Sequence, residues 1–263
     1  MLAEKMIKVY KKDFNILHIM KSGQCFRISQ HEKNLYQVIA LDHNVMVKQL
    51  GDEIIFYCSR EEFNNIWFDY FDLSTDYNSI KECLLKLNDS YLTTAIEFGY
   101  GIRILRQDLW EVMVSFIISQ RNNIPKIRFS IDKLCRGEDH FPSAQEINSM
   151  PDSFLSSCGL GYRLKYIKKL AQDVVDKKIE LDELKNDTYA EAMKVLLKIY
   201  GVGPKVASCI ALYGLHHLEA FPIDVWIQRI IRSHPSMDIK SFGQYAGIAQ
   251  QYMFFYERNR NLS

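Results

Sequence analysis

The sequence predicts an α+β fold that is mostly α, with an antiparallel sheet in the first third of the chain. Before Ser59, short runs rich in Val, Ile, Leu and aromatic residues alternate with turn residues, which is typical of β-strands. After Ser59, apolar residues recur at three- and four-residue steps, which is typical of helices. Late in the chain, a glycine-rich turn separates two apolar helical segments, and this arrangement predicts a helix–hairpin–helix.

The predicted sheet contains three runs, at 35–41, 45–50 and 53–58. They are separated by Asp-His-Asn and Gly-Asp, which favour tight turns, so we expect an antiparallel meander. Residues 23–29 are expected to add one more strand before these three.

Helical periodicity covers nearly all of the remaining chain. In 107–120, for example, Leu109, Met113 and Phe116 would line one face. The other predicted helices lie at 78–88, 89–98, 125–136, 143–148, 152–157, 161–177, 189–200, 205–215, 225–232 and 240–256. We therefore expect a sheet domain with flanking helices at 1–100. A helical domain at 101–263 would contain the helix–hairpin–helix at 191–215.

Composition limits the possible functions. A 263-residue chain with 48% hydrophobic and 25% charged residues can bury a sizeable core. Its net charge of +1 provides no global basic field, so nucleic-acid binding has to rest on local motifs. The six cysteines, at 25, 58, 83, 135, 158 and 209, are too widely spaced for a zinc or iron–sulfur motif. We therefore expect no metal and no cofactor.

Targeting and membrane signals are also missing from the pattern. No signal peptide precedes the first polar residues, and no apolar run approaches the roughly 20 residues that a membrane helix needs. We expect a monomer with reduced thiols in the cytoplasm, and no membrane partner.

The most informative segment is 196–209, which reads Leu-Leu-Lys-Ile-Tyr-Gly-Val-Gly-Pro-Lys-Val-Ala-Ser-Cys. Gly201 and Gly203 permit a tight turn and a close backbone approach. Pro204 suits the first position of the second helix, where its missing N–H costs nothing. Exposed amides at a helix N-terminus suit a phosphate group, so the segment predicts contact with a nucleic-acid backbone.

A Pro-Ile-Asp-Val run containing Asp224 follows the hairpin lysine, Lys205. This pairing resembles the helix–hairpin–helix DNA glycosylase superfamily, and the lysine is similar to that of its bifunctional members. Three further segments, Ser22 to Arg27, Gly159 to Arg163 and Ala246 to Phe254, narrow the resemblance to the 8-oxoguanine DNA glycosylase family over about residues 20 to 256. The iron–sulfur loop of the related adenine and pyrimidine glycosylases is absent from the sequence.

The resemblance implies a sheet packed on two helical subdomains, with the site in the cleft between them. It implies a DNA glycosylase and abasic-site lyase whose partner is double-stranded DNA containing 8-oxoguanine. Lys205 would attack C1′ of the sugar and leave a Schiff base that undergoes β-elimination, while Asp224 would stabilise positive charge at C1′. From the residues alone, Lys205 also fits a surface lysine touching phosphate and Asp224 fits a helix N-cap.

Four residues match the family's pocket for the flipped base. The resemblance implies that the Gly23 carbonyl accepts a hydrogen bond from N7–H of the oxidised base, where guanine has a bare acceptor. Cys209 and Phe254 match the residues that sandwich the base, and Gln250 matches the residue that binds its Watson–Crick edge. Without the family, Gly23 fits a turn glycine, and Cys209 and Phe254 fit core packing.

The residues expected to contact DNA are Arg121, Asn122, Asn123, Lys126, Tyr162, Arg163, Gly201, Gly203 and Trp226. Tyr162 matches a wedge that fills the gap left by the flipped base, and Arg163 matches a reader of the stranded partner base. In the family, this place carries an Asn run that enters the gap and contacts the partner cytosine, and the resemblance implies that role for Asn122 and Asn123. From the residues alone, the segment with Tyr162 and Arg163 and the segment with the Asn pair also fit solvated loops.

The chain departs from the familiar eukaryotic pattern at several of these positions. Arg121 replaces the first Asn of the run, Lys126 replaces an Arg and Trp226 replaces a His, and the 230–245 region is short. These changes affect partner-base selectivity and phosphate contact, but not the catalytic pair.

Two other functions fit parts of the pattern. A non-catalytic helix–hairpin–helix protein would bind DNA, but it would need neither Lys205 nor Asp224. A glycosylase for another lesion, such as an alkylated base, generally lacks the hairpin lysine. A small-molecule enzyme is disfavoured because no dinucleotide or phosphate-loop pattern is present.

Overall fold

The structure is a computed structural model that describes residues 6–260. Five strands form one antiparallel sheet: β1 Ile7–Tyr10, β2 Ile28–Glu32, β3 Leu35–Ala40, β4 His43–Leu50 and β5 Glu53–Phe56. Their order across the sheet is β1-β5-β4-β3-β2, so β2 to β5 form the predicted meander and β1 is added at its far edge. The predicted α+β fold is confirmed.

Alternation of side chains explains why the sheet forms with one buried face. In β3, Tyr36, Val38 and Ala40 are buried and the residues between them are partly exposed. Val38 pairs with Val45 of β4, and Val47 of β4 pairs with Phe56 of β5. These cross-strand pairs bring apolar side chains to the same face, where they stabilise the sheet.

The strand predicted at 23–29 is wrong in its position. Residues 23–27 form a turn-rich loop, and β2 begins only at Ile28. Gly23 has a φ of 78°, a left-handed conformation that a strand does not allow. The loop is instead held by polar side chains, as described below.

The helices cover most of the remaining chain. Their bounds are α1 Ile16–Lys21, α2 Arg60–Glu62, α3 Phe68–Tyr70, α4 Tyr77–Leu85, α5 Ser90–Phe98, α6 Leu109–Ser119, α7 Ile124–Leu134, α8 Ala144–Ser149, α9 Asp152–Ser157, α10 Leu164–Val175, α11 Leu181–Leu184, α12 Tyr189–Leu196, α13 Pro204–Tyr213, α14 Val225–Ser233 and α15 Ala246–Asn259. A π-helical stretch, Phe63–Trp67, joins α2 to α3. Within residues 6–260, no helix is long and apolar enough to cross a bilayer.

Two predicted helices are interrupted in the structure. The segment 161–177 opens as a 3-10 turn over Gly161–Arg163 before α10 begins. The segment 240–256 is a 3-10 stretch, Ile239–Tyr245, followed by α15, with Gly243 in a non-helical conformation between them. Apolar periodicity continues across both breaks, which is why the sequence pattern alone does not reveal them.

The buried apolar residues form two clusters. One lies under the sheet and includes Ile54, Trp67 and Phe71. The other runs through the helices from α4 to α15, and it includes Phe116, Ile210 and Tyr252. Because α4 and α5 pack into the helical cluster, the sheet and its short flanking helices form a separate layer. Loop 22–27 lies at the contact between them.

Candidate active site

The hairpin is built from α12 and α13. Thr188 and Glu191 form a capping box that starts α12, and Pro204 occupies the first turn of α13. Gly201 has a φ of 85°, and a Cβ there would overlap the Tyr166 ring. Gly203 has no atom within 4 Å of the Cβ position, so it faces open space. The turn therefore requires glycine at Gly201 for packing and presents Gly203 to the exterior.

Lys205 is the second residue of α13 and is half-buried. Its Nζ atom lies 5.4 Å from the centroid of the Phe116 ring on α6. One turn further along α13, the buried Cys209 thiol lies beside it, and burial raises the pKa of that thiol although Lys205 opposes the effect. The lysine is thus held between an aromatic face and a neutral thiol.

Asp224 is the N-cap of α14. Its Oδ1 accepts hydrogen bonds from the amides of Trp226 at 3.0 Å and Ile227 at 2.9 Å. Within residues 6–260, its second carboxylate oxygen accepts no hydrogen bond. The capping interpretation is therefore correct, and it leaves one oxygen available for chemistry.

Lys205 and Asp224 line one cavity, here called the Lys205 cavity. Its walls also include the four other residues predicted for the pocket, Gly23, Cys209, Gln250 and Phe254. Four residues that were not predicted complete the lining: Ser22, Phe116, Tyr213 and Pro222. Its volume is about 50 Å³.

The sequence contained a signal for some of the unpredicted wall residues. Tyr213 lies one turn beyond Cys209 and two beyond Lys205 on α13, so the three share one face of the helix. Phe116 lies on the predicted apolar face of α6. Helical spacing therefore identifies both residues once the lysine is taken as the centre of the site.

Gln250 presents an unpaired polar atom to the cavity. Its side chain is 3% exposed, and its Nε2 donates to the Pro222 carbonyl at 3.1 Å. Its Oε1 is buried and has no hydrogen-bond partner within residues 6–260. A buried amide oxygen without a partner is costly, so a ligand that donates a hydrogen bond there would be stabilised.

The Gly23 carbonyl is also unpaired within the described part of the chain. On one side, the Ser22 carbonyl accepts from Gln251 Nε2 at 2.9 Å. On the other, the Gln24 carbonyl accepts from Gln107 Nε2 at 2.9 Å. The Gly23 α-carbon packs on the Phe254 ring, since an added Cβ would lie 3.4 Å from Cε1.

The predicted partner-base residues form an outer loop cluster. The Arg163 side chain is buried, with the residue 6% exposed, and it donates to the carbonyls of Gln120, Arg121 and Leu160. Tyr162 is 45% exposed, and its hydroxyl donates to the Gln120 carbonyl at 3.3 Å. The Tyr162 ring is therefore exposed to solvent, whereas the Arg163 guanidinium is held by backbone carbonyls.

Among Asn122, Asn123 and their neighbours, some side chains are likewise bound by the protein and others are exposed to solvent. Asn123 is the N-cap of α7 and accepts from the Lys126 amide at 3.0 Å. Asn122 donates to the Ile118 carbonyl at 3.2 Å and accepts from the Asn123 amide. Arg121 is exposed with a φ of 48°, and Trp226 stacks with Arg229 at 4.9 Å. Arg121, Asn123 and Lys126 are exposed, whereas Asn122 and Trp226 are partly buried.

Comparison with known proteins agrees with this arrangement. Residues 114–243, which contain the hairpin, match the HhH-GPD superfamily of base excision DNA repair proteins. The fold and the site therefore define a helix–hairpin–helix DNA repair protein. Residues 6–113 match the N-terminal domain of 8-oxoguanine DNA glycosylase. The chain belongs to the 8-oxoguanine DNA glycosylase family.

Similar proteins of known structure cover nearly the whole chain. MBOgg1, solved with a low-affinity DNA ligand, is 39% identical, with a TM-score of 0.92 and coverage of 98% of this chain and 96% of that one. The 8-oxoguanine glycosylase/lyase of Clostridium acetobutylicum, solved with DNA containing cytosine opposite 8-oxoG, is 33% identical, with a TM-score of 0.88 and coverage of 97% and 98%.

A sequence relative matches a shorter region. The probable N-glycosylase/DNA lyase of Methanothermobacter thermautotrophicus is 36% identical over 144 residues, which are 51% of this chain and 44% of that protein. The match therefore spans less than half the length of that relative.

Proposed function

We propose that this protein excises 8-oxoguanine from double-stranded DNA and then cleaves the DNA at the abasic sugar. The observation that carries the proposal is the Lys205 cavity, whose walls bring together Lys205, Asp224, Gly23 and Gln250. Within residues 6–260, the buried Gln250 Oε1 has no hydrogen-bond partner. Family membership supports the reaction class, and the geometry supports the roles of the residues.

Lys205 is the proposed nucleophile. Its amine attacks C1′ as the bond to the base breaks, and the base departs with the electron pair and takes up a proton. Loss of a proton from the lysine nitrogen and opening of the sugar ring give a Schiff base. Removal of a proton from C2′ then expels the 3′ phosphate by β-elimination, which accounts for the lyase step.

Asp224 is the proposed stabiliser of the positive charge that develops at C1′. Oδ1, which caps α14, fixes the carboxylate to the start of that helix, and the second oxygen is available to the sugar. A fixed negative charge stabilises such a transition state because it needs no reorganisation during the reaction.

Selectivity is proposed to come from two acceptors. The Gly23 carbonyl accepts from N7–H, which 8-oxoguanine has and guanine lacks, so guanine meets lone-pair repulsion there. The Gln250 Oε1 accepts from the N–H groups of the Watson–Crick edge. Cys209 and Phe254 lie on the walls that would contact the base faces.

Duplex DNA is bound by the hairpin and the outer loop cluster. Gly203 faces open space, so a phosphate can approach the hairpin amides. Tyr162 fills the gap left by the base, and Asn122, Asn123 and the exposed Arg121 lie on the loop that faces the partner strand. Lys126 and Trp226 are proposed phosphate contacts.

Three wider features are also proposed. The domain division is proposed near residue 100, before α6, even though α4 and α5 already pack on the helical cluster. We expect the protein to act as a monomer. The bacterial cytoplasm or nucleoid is its proposed location, because its thiols are free and its substrate is DNA.

The test is single-turnover incubation with duplexes that carry one 8-oxoguanine or one guanine at the same position. Base release is measured by mass spectrometry, and strand cleavage is measured on a denaturing gel. Release of 8-oxoguanine with a rate at least about 10⁴-fold above that of guanine is expected. DNA binding without release of either base would instead identify a non-catalytic binding protein. Release of an alkylated base alone would identify a different glycosylase.

A further inference from the structure

A buried chain of hydrogen bonds connects three walls of the Lys205 cavity. The Tyr213 hydroxyl on α13 donates to Gln251 Oε1 on α15 at 2.5 Å. Gln251 Nε2 then donates to the Ser22 carbonyl at 2.9 Å. The helix that carries Lys205, the helix that carries Gln250 and the loop that carries Gly23 are therefore joined by a single side chain.

We infer that Gln251 and Tyr213 are positioning residues, which hold the Gly23 carbonyl where it accepts from the base. The inference rests on the proposed function. Gln251 itself does not line the cavity, so its effect on the base must pass through the Ser22 peptide unit. Because Ser22 directly precedes Gly23, fixing the Ser22 carbonyl fixes the peptide plane that starts Gly23.

The opposite side of the loop is anchored in the same manner. Gln24 is fully buried, and its Nε2 donates to Ser22 Oγ at 2.9 Å and to the Arg103 carbonyl at 2.8 Å. Its Oε1 accepts from the Leu105 amide at 2.9 Å. In the described part of the chain, both neighbours of Gly23 are thus anchored while its own carbonyl is left free.

Glycine at position 23 makes this anchoring necessary. Gly23 has a φ of 78°, and a residue without a Cβ can rotate its peptide planes more freely than any other. A carbonyl that has to accept one hydrogen bond in a defined direction would lose that direction if the loop moved. Gln251 is 1% exposed and supplies the constraint from a rigid helix.

Burial makes the chain costly to interrupt. Removing the Gln251 amide leaves the Ser22 carbonyl and the Tyr213 hydroxyl without partners, in a place where water has little access. The loop would relax to recover those bonds. A displacement of about 1 Å at the base is enough to slow a reaction by roughly 10²-fold.

The test compares two activities in the same variants. Excision of 8-oxoguanine needs the Gly23 carbonyl, whereas cleavage of a duplex with a preformed abasic site does not, because no base is present. We expect Gln251→Met to lower 8-oxoguanine excision by about ten- to hundredfold and abasic-site cleavage by less than about threefold. Tyr213→Phe keeps the Gln251 bond to Ser22, so a smaller loss of 8-oxoguanine excision is expected in that variant.

The matched control is Tyr91→Phe. The Tyr91 hydroxyl also donates to a residue of α15, Glu257, at 2.8 Å, but it lies outside the cavity. This variant removes a comparable hydrogen bond and should leave both activities close to wild type. It separates loss of positioning from a general loosening of α15.

The outcomes are distinguishable from failure of the proposed function. A wild-type protein that releases no 8-oxoguanine would refute the proposed function and this inference together. If the wild type is active, equal losses of both activities in Gln251→Met would overturn the inference alone, because they indicate a structural role. No loss of excision in that variant would overturn it as well.

Discussion

Asp224 has two roles that substitution can separate, because its two oxygens do different things. Oδ1 caps α14 through two backbone amides, at 3.0 and 2.9 Å, while the other oxygen accepts no hydrogen bond within residues 6–260. Asp224→Asn keeps an acceptor for the cap and removes the charge. Asp224→Ala removes both the cap and the charge.

The expected magnitudes differ for stability and for catalysis. Loss of an N-cap costs about 1 kcal/mol, which lowers Tm by roughly 2–4 °C in a protein of this size. Asparagine is as good an N-cap as aspartate, so Asp224→Asn should have a Tm close to wild type. Both variants lose the charge at C1′, so both should lower the excision rate by about 10²- to 10³-fold.

The assay is single-turnover excision of 8-oxoguanine, with Tm measured by circular dichroism on the same samples. Asp89→Asn serves as the control, because Asp89 caps α5 through the Leu92 amide at 2.8 Å and lies outside the cavity. If Asp224→Asn excises the base within tenfold of wild type, the carboxylate is only a helix cap and the reasoning is refuted. An unchanged Tm in Asp224→Ala would show that the cap is not formed in solution.

Three further predictions follow from the outer loop, the hairpin and one carboxyl group of α6, that of Glu111. Arg121 has a φ of 48°, a conformation that asparagine tolerates well, so Arg121→Asn should not lower Tm. The same variant should raise the preference for cytosine opposite the lesion about tenfold. Single-turnover excision opposite each of the four bases measures that preference, and an unchanged preference would contradict the prediction. Gly201→Ala should lower Tm and weaken DNA binding because the added methyl group overlaps the Tyr166 ring, whereas Gly203→Ala should leave Tm near wild type. Equal Tm values for the two variants in calorimetry would be inconsistent with close packing of Gly201 on that ring. Burial raises the pKa of Glu111 to about 7, so the folded protein retains a proton that the unfolded chain releases. The free energy of unfolding should therefore fall as pH rises from about 5 to about 7. Glu111→Gln should reduce this pH dependence in urea unfolding, and an unchanged pH dependence would show that it does not come from Glu111.

The sequence predicts well those features that depend on local patterns. Alternation of buried residues in β3 and the glycine-rich turn before Pro204 are local, and both elements lie where they were expected. The six residues predicted for the reaction and the base pocket line one cavity. They come from distant segments, so it is the family resemblance that groups them and not their spacing.

Features that depend on contacts between distant segments could not be predicted. Arg163 is buried because the carbonyls of Gln120 and Arg121 lie within its reach, and that loop is about 40 residues away in the chain. The sequence gives no sign of a role for Gln251, because its hydrogen-bond partners, Tyr213 on α13 and the Ser22 carbonyl, are distant in the chain. Such pairings are fixed only when the helices pack.

The identity of the nucleophile is the central claim, and it has a direct chemical test. The protein is incubated with a duplex that carries one 8-oxoguanine, in the presence of borohydride, which reduces a Schiff base to a stable amine. Proteolysis and mass spectrometry then locate the cross-link. We predict a covalent complex with the cross-link on Lys205. We also predict that Lys205→Gln gives neither base release nor a complex while it still binds the duplex. A cross-link on another lysine, or a trapped complex with Lys205→Gln, would contradict the account.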